Sequence, residues 1–247
     1  MIIVWYHFWQ QSWLMPVYGK INLDIIPRFG FLLVDMMIVL SGFCLFIPYV
    51  RSLVYKKKMP STKEFYIKRI AKIFPSYYFS MIICVIFLII LKDGWFNTFF
   101  IKDSLMHFFF VHNWSTDTLL YSNYFGVLWT VAIEVQFYII FPFIAKRFIK
   151  HPITTYLIMI IVGIISTSLI LVNVDQSVLS GYVNNFFTFI PVFANGMLAC
   201  LIYFRFIAKR KRKLSSSLIF TIVSILMIIV YIYLCHRIDL DNILGWQ

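Results

Sequence analysis

Three ionisable residues stand where an otherwise apolar sequence has no routine use for them: His7, Asp35 and Glu134. A charge near the centre of a membrane-length apolar run costs roughly 2.5–3.5 kcal/mol even on a lenient insertion scale, so each needs a partner, a wet cavity or a chemical task. Glu134 is the most demanding. It sits within Leu128-Trp129-Thr130-Val131-Ala132-Ile133-Glu134-Val135-Gln136-Phe137-Tyr138, where helical spacing puts Thr130, Glu134 and Tyr138 on one face. Such a groove suits either proton transfer or an interhelical hydrogen-bonding contact. His7 carries the side chain best matched to proton transfer near neutral pH, and it reads equally as an interfacial histidine among Trp5, Trp9 and Trp13. Asp35 shares a helical face with Gly42, a small polar stripe whose expected use is structural, with the carboxylate satisfied by a neighbouring helix.

A second cluster is basic. In Phe65-Tyr66-Ile67-Lys68-Arg69-Ile70-Ala71-Lys72-Ile73-Phe74-Pro75, Arg69 and Lys72 are helical neighbours that can hold phosphates at a membrane surface or snorkel as anchors. His107 and His112, in an aromatic interfacial or re-entrant segment, are expected to point to different sides of a helix and not to bind metal as a pair. Cys44, Cys84, Cys200 and Cys235 lie within apolar runs, so neither a disulfide framework nor a zinc site is expected. No serine or cysteine stands in a recognisable nucleophile setting.

The elements that must carry these residues are membrane helices. Of 247 residues, 62% are hydrophobic and 13% charged, which excludes an ordinary soluble domain. Runs near the roughly 20 residues that cross a bilayer are found at Phe29–Val50, Ile73–Leu91, Val127–Ala145, Ile153–Val172, Phe186–Phe204 and Ser217–Cys235, with a short seventh at Met1–Met15. The expected fold is therefore an all-α polytopic bundle of about seven spans, the first one short, forming a single domain over residues 1–247. The net charge of +12 is concentrated in alternate connections: Arg51 to Lys72, Lys146 to Lys150 and Arg205 to Lys213. The positive-inside rule puts those in the cytoplasm and leaves Asp103 and Asp175 facing outward, so the charge needs no nucleic-acid partner.

Taken in order, these pieces resemble acyltransferase family 3, bacterial membrane enzymes that move an acyl group from acyl-CoA to a hydroxyl of an envelope glycan. The resemblance runs through His7, Val34-Asp35 with Leu40-Ser41-Gly42-Phe43, the Phe65 to Pro75 block, Leu128-Trp129-Thr130 through Glu134 and Gln136-Phe137-Tyr138 to Pro142, and Phe193-Ala194-Asn195-Gly196-Met197-Leu198. It implies that His7 is the catalytic base, that Glu134 is the acidic residue of the Trp-containing helix, and that Arg69 and Lys72 hold acyl-CoA phosphates. Asp35, Thr130 and Tyr138 then line the acceptor path or brace it. Lys72 replaces the family's second arginine, which keeps the charge but loses the planar fork. The family's arginine ahead of the first-helix histidine falls upstream of Met1, and family members have more spans, so the chain is expected to be cut short at both ends.

The resemblance further implies an O-acyltransferase of the inner (cytoplasmic) membrane with acetyl-CoA as donor substrate. Its partners would be an envelope glycan or lipid-linked sugar and membrane lipids, with no metal and no bound cofactor. Two other readings fit the same residues: a glycan or lipid transporter with Asp35 and Glu134 in its path, and a catalytically dead membrane partner subunit.

Overall fold

A computed structural model describes residues 2–12, 17–18, 21–22, 30, 32–91, 96–175, 178–208 and 225–226. The chain runs through α1 (Ile2–Ser12), a two-residue antiparallel ladder of β1 (Val17–Tyr18) and β2 (Ile21–Asn22), α2 (Leu32–Val54) and α3 (Thr62–Leu91). It continues through α4 (Thr98–Phe108), a 3-10 turn at His112–Trp114, α5 (Thr116–Leu120) and α6 (Leu128–Lys150). α7 (Pro152–Asn173), α8 (Leu179–Val183) and α9 (Phe186–Ile202) follow, the last prolonged by a π turn at Tyr203–Ile207.

Five helices among the described residues are long and apolar enough to cross a membrane: α2, α3, α6, α7 and α9 with its extension to Phe206. α1, with 11 residues, reaches only about 16 Å and falls short of the roughly 30 Å hydrocarbon core. The expected seventh span at Ser217–Cys235 lies outside the described residues. Among the described residues, apart from the two-residue ladder, the protein is a helical, multi-pass membrane protein.

The boundaries follow local rules. α3 opens at Thr62, so the basic turn carrying Arg69 and Lys72 and the apolar span beyond it form one 30-residue helix. α7 places Pro152 in its first turn, where the missing N–H costs nothing. Asn185 caps α9 by accepting from the N–H groups of Phe187 and Thr188, and Asn97 caps α4 by accepting from that of Phe100.

Half of the apolar window of α6 is buried against 17% for α3 and α7, which makes α6 central and leaves the other two facing lipid. In hydrocarbon, helices associate through close packing rather than water exclusion. The sequence meets that demand with glycines: a Cβ on Gly196 of α9 would collide with the Val39 carbonyl of α2, and one on Gly42 would collide with the Phe193 carbonyl. Against this pair α6 sets Phe137, stacked on Phe193 with ring centroids 3.7 Å apart, and Phe148 edge-on to Phe46. A second cluster joins Tyr77, Met81 and Cys84 of α3 to Phe100, Phe110, Tyr124 and the start of α6.

Thr62 accepts a hydrogen bond from Lys146 Nζ at 3.1 Å, which brings the basic start of α3 beside the basic end of α6. Arg51, at the end of α2, lies over Phe204 at the end of α9. The cationic segments therefore gather at one end of the bundle, the end that the positive-inside rule assigns to the cytoplasm.

Candidate active site

Glu134 and Tyr138 are one turn apart on α6, and the Tyr138 hydroxyl donates to Glu134 Oε2 at 2.9 Å. The other carboxylate oxygen accepts from Ser41 on α2 at 2.5 Å. Each oxygen thus has a hydroxyl donor from a different direction, and the carboxylate is fixed in its rotamer by two helices. α3 supplies the third wall. The Arg69 guanidinium lies 5.7 Å from the Tyr138 ring centroid and 5.6 Å from that of Phe65, a double cation–π contact. Its Nε is buried and has no hydrogen-bond partner among the described residues.

Three contacts hold Arg69 in place. Phe65 stacks on Phe141 at 5.3 Å, the Tyr66 hydroxyl donates to the Ile139 carbonyl at 2.6 Å, and Lys146 reaches Thr62. All join α3 to α6, so the guanidinium and the carboxylate are positioned by the same helix pair. The result is a polar line from an arginine in the basic turn, across a tyrosine, to a carboxylate inside the bundle.

The remaining sequence candidates lie elsewhere. Lys72 is exposed one turn beyond Arg69. His7 is half-buried on α1, its ring tilted against Tyr6 at 5.1 Å, and α1 leans on α2. Thr130 donates to the Val127 carbonyl at 3.0 Å, which turns its hydroxyl back into the first turn of α6 and away from Glu134. Asp35 is exposed, contrary to its expected burial against a neighbour. Although Asp35 and Gly42 share a face, they are about 10 Å apart along the axis; Gly42 meets α9.

Between α3 and α6 the chain forms an outer cap that the sequence reading misjudged. α4 stops at Phe108, and Phe110 adopts a left-handed conformation at φ 57°, so the chain reverses before His112. His107 and His112 consequently stack face to face, 3.7 Å between centroids and 6° between planes, instead of diverging. Asp103, expected on the outward side, is fully buried beside them. Burial pushes His112 down to about 3, with the neighbouring His107 adding to the effect and Asp103 and the Leu128 backbone opposing it. Gln136 pins the cap to α6: its amide donates to the Phe110 carbonyl and to Asn113 Oδ1 and accepts from Trp114 Nε1.

The comparisons with known proteins decide the lineage. A family model described as an acyltransferase domain, acyltransferase family 3, matches residues 1–246. The chain belongs to that family. It is similar to the peptidoglycan O-acetyltransferase OatA of Listeria monocytogenes, 30% identical over 152 residues that make up 56% of this chain and 24% of that protein. It is also similar to the O-acetyltransferase OatA of Staphylococcus aureus strain NCTC 8325, 31% identical over 154 residues, 58% of this chain and 25% of the relative. The chain thus spans about a quarter of the length of the curated relatives it matches. No solved structure matches it.

Sequence reasoning had placed Glu134, Tyr138 and Arg69 near the chemistry without a partner for the carboxylate. That partner, Ser41, lies 93 residues away. Its signal was a hydroxyl inside an apolar span, in the same helix as Asp35.

Proposed function

We propose that the protein transfers an acetyl group from acetyl-CoA to a hydroxyl of an envelope polysaccharide, working across the cytoplasmic membrane. The observation that carries this reading is the line from Arg69 through Tyr138 to Glu134. A guanidinium with an unused buried Nε, held between aromatic rings at the basic end of the bundle, suits the phosphates of a CoA donor arriving from the cytoplasm. Exposed Lys72 adds a second positive charge one turn on. Glu134 then stands where the acyl group would enter the bundle, and His7 on α1 serves as the base that takes the acceptor hydroxyl's proton. The relatives' names, O-acetyltransferase and peptidoglycan O-acetyltransferase, supply acetyl as the group and a cell-wall glycan as the acceptor class.

Membranes containing the protein, the acceptor glycan and labelled acetyl-CoA test the reading. Arg69→Ala is expected to raise KM for acetyl-CoA at least tenfold, and Lys72→Ala to raise it less. His7→Gln is expected to lose the transfer by about 10²- to 10⁴-fold with its membrane content unchanged. If the parent moved no label to any glycan, or if Arg69→Ala bound acetyl-CoA like the parent, the reading would fail.

A further inference from the structure

The outer cap holds a second set of groups whose geometry is that of a nucleophile, a base and an orienting acid. Asp103 is 0% exposed and His107 1%, both in the last two turns of α4, one turn apart. His107 Nδ1 donates to the Asp103 carbonyl oxygen at 2.9 Å and lies 3.0 Å from Asp103 Oδ1 without hydrogen-bonding it, so the ring proton belongs on Nδ1 and Nε2 is left to accept. Facing Nε2 at 3.4 Å is the oxygen of half-buried Ser122, in the loop that leads to α6. This separation is the looser contact usual for a nucleophile and base with no substrate bound. The Ser122 hydroxyl donates to Asp103 Oδ2 and accepts from the Tyr124 N–H at 2.9 Å, and it must rotate to hand its proton to the ring. The second Asp103 oxygen accepts from the Asn123 N–H at 2.7 Å and from Ser122 Oγ at 3.1 Å, which fixes the loop against the dyad.

We propose that Ser122, His107 and Asp103 form a second catalytic centre, a serine nucleophile that takes an acyl group from an ester or thioester on the outer side of the membrane. Such a constellation is recognised by geometry and roles rather than by sequence order. Ser122 Oγ attacks the carbonyl carbon while its proton passes to His107 Nε2, and buried Asp103 stabilises the imidazolium. Collapse of the tetrahedral adduct breaks the bond to the alcohol or thiol, which leaves with the proton from His107 and an acyl-serine behind it. A sugar hydroxyl, or water, then attacks the acyl-serine with His107 again taking the proton, and Ser122 is regenerated. The Asn123 side-chain amide makes only a 3.4 Å contact to Asp103, the longest that carboxylate makes. His112 and Tyr124 pack against the base, with centroids 3.7 and 4.6 Å from it, and keep its plane fixed.

A purely bracing role for the same groups would give a stable loop and an inert serine. The two are separated by a fluorophosphonate probe applied to the full chain in mild detergent, with the modified peptide located by mass spectrometry. The label needs no acyl-CoA, so its result is independent of the donor reading proposed above. The expected outcome is covalent modification at Ser122 in the parent protein, absent in Ser122→Ala and slowed about 100-fold in His107→Gln. p-Nitrophenyl acetate should in the same samples leave an acetyl group on Ser122. Because the decisive measurement is made on the parent, misfolding of a variant does not obscure it. Absence of modification at Ser122 under conditions that label a serine esterase overturns the proposal, as does labelling that survives unchanged in folded His107→Gln.

Discussion

His112 makes the outer cap sensitive to acid, and the size of the effect follows from its burial. Its ring is 2% exposed and its pKa is lowered from 6.5 to about 3, chiefly because the charged form would be desolvated. In the unfolded chain the imidazole titrates at its ordinary value, so the unfolded state binds more protons below about pH 6.5. Stability is therefore fully present above that pH and is lost as the pH falls toward 3. Between pH 7 and pH 5 the folded ring stays neutral while the unfolded one becomes almost fully charged, a loss of about 2 kcal/mol or about 25-fold in the folded-to-unfolded ratio. Denaturation in mixed micelles at the two pH values measures this. Other groups titrate in the same window, so the comparison is with His112→Phe, whose ring keeps the stack on His107 and has no proton to gain. The variant is expected to lose about 2 kcal/mol less than the parent on acidification. Equal losses in the two proteins would show that His112 is solvated, and the stacked, buried arrangement would be wrong.

Ser41→Ala removes one of the two donors to Glu134 and is expected to lower acetyl transfer about 10- to 100-fold, since hydrogen bonds to charged groups contribute about 1.5–3 kcal/mol. Transfer at the parental rate in that variant would take the Ser41–Glu134 contact out of the mechanism. Gly196→Ala forces a methyl group against the Val39 carbonyl and should cost about 1–3 kcal/mol of bundle stability. An unchanged midpoint in the same micellar assay would mean that α2 and α9 are farther apart. A cysteine introduced at Lys57 should resist impermeant thiol reagents applied to intact cells, and labelling from outside would invert the topology.

How much of this was legible in the sequence depends on the range of the interaction. The five long spans were readable because lipid permits only long apolar helices and the basic connections mark their ends. The Glu134–Tyr138 pair was readable because a four-residue spacing on a helix is a local fact. Ser41 was not, because its bond to Glu134 joins residues 93 apart and depends on how α2 docks on α6. The cap was misread for a different reason. The run Phe108-Phe109-Phe110-Val111 contains no glycine or proline to announce a reversal, yet Phe110 takes the left-handed conformation that most residues avoid. The compensation is tertiary: its ring packs 4.3 Å from Tyr77 and its carbonyl accepts from Gln136. With α4 continued as a regular helix, His107 and His112 diverge; with the reversal in place they stack.

Two helices, α3 and α6, make contacts to both candidate centres. On α6, Glu134 and Gln136 are two residues apart and so point about 200° from one another. Glu134 turns to Ser41 and Tyr138, and Gln136 turns to the cap. On α3, Arg69 serves the first centre, while Tyr77 and Tyr78 donate to the carbonyls of His107 and Phe108 and so hold the end of α4 at the second. Arg69 and Tyr77 are eight residues, about 12 Å, apart along the helix. A displacement of α3 against α6 therefore moves the guanidinium relative to Glu134 and the His107 backbone relative to Gln136 at once. The arrangement gives the pair a mechanical reason to be fastened at several levels, by Thr62 to Lys146, Tyr66 to Ile139 and Phe65 to Phe141. Loosening those fasteners should degrade donor binding and serine reactivity together, although only Phe65 among them touches a centre, through Arg69.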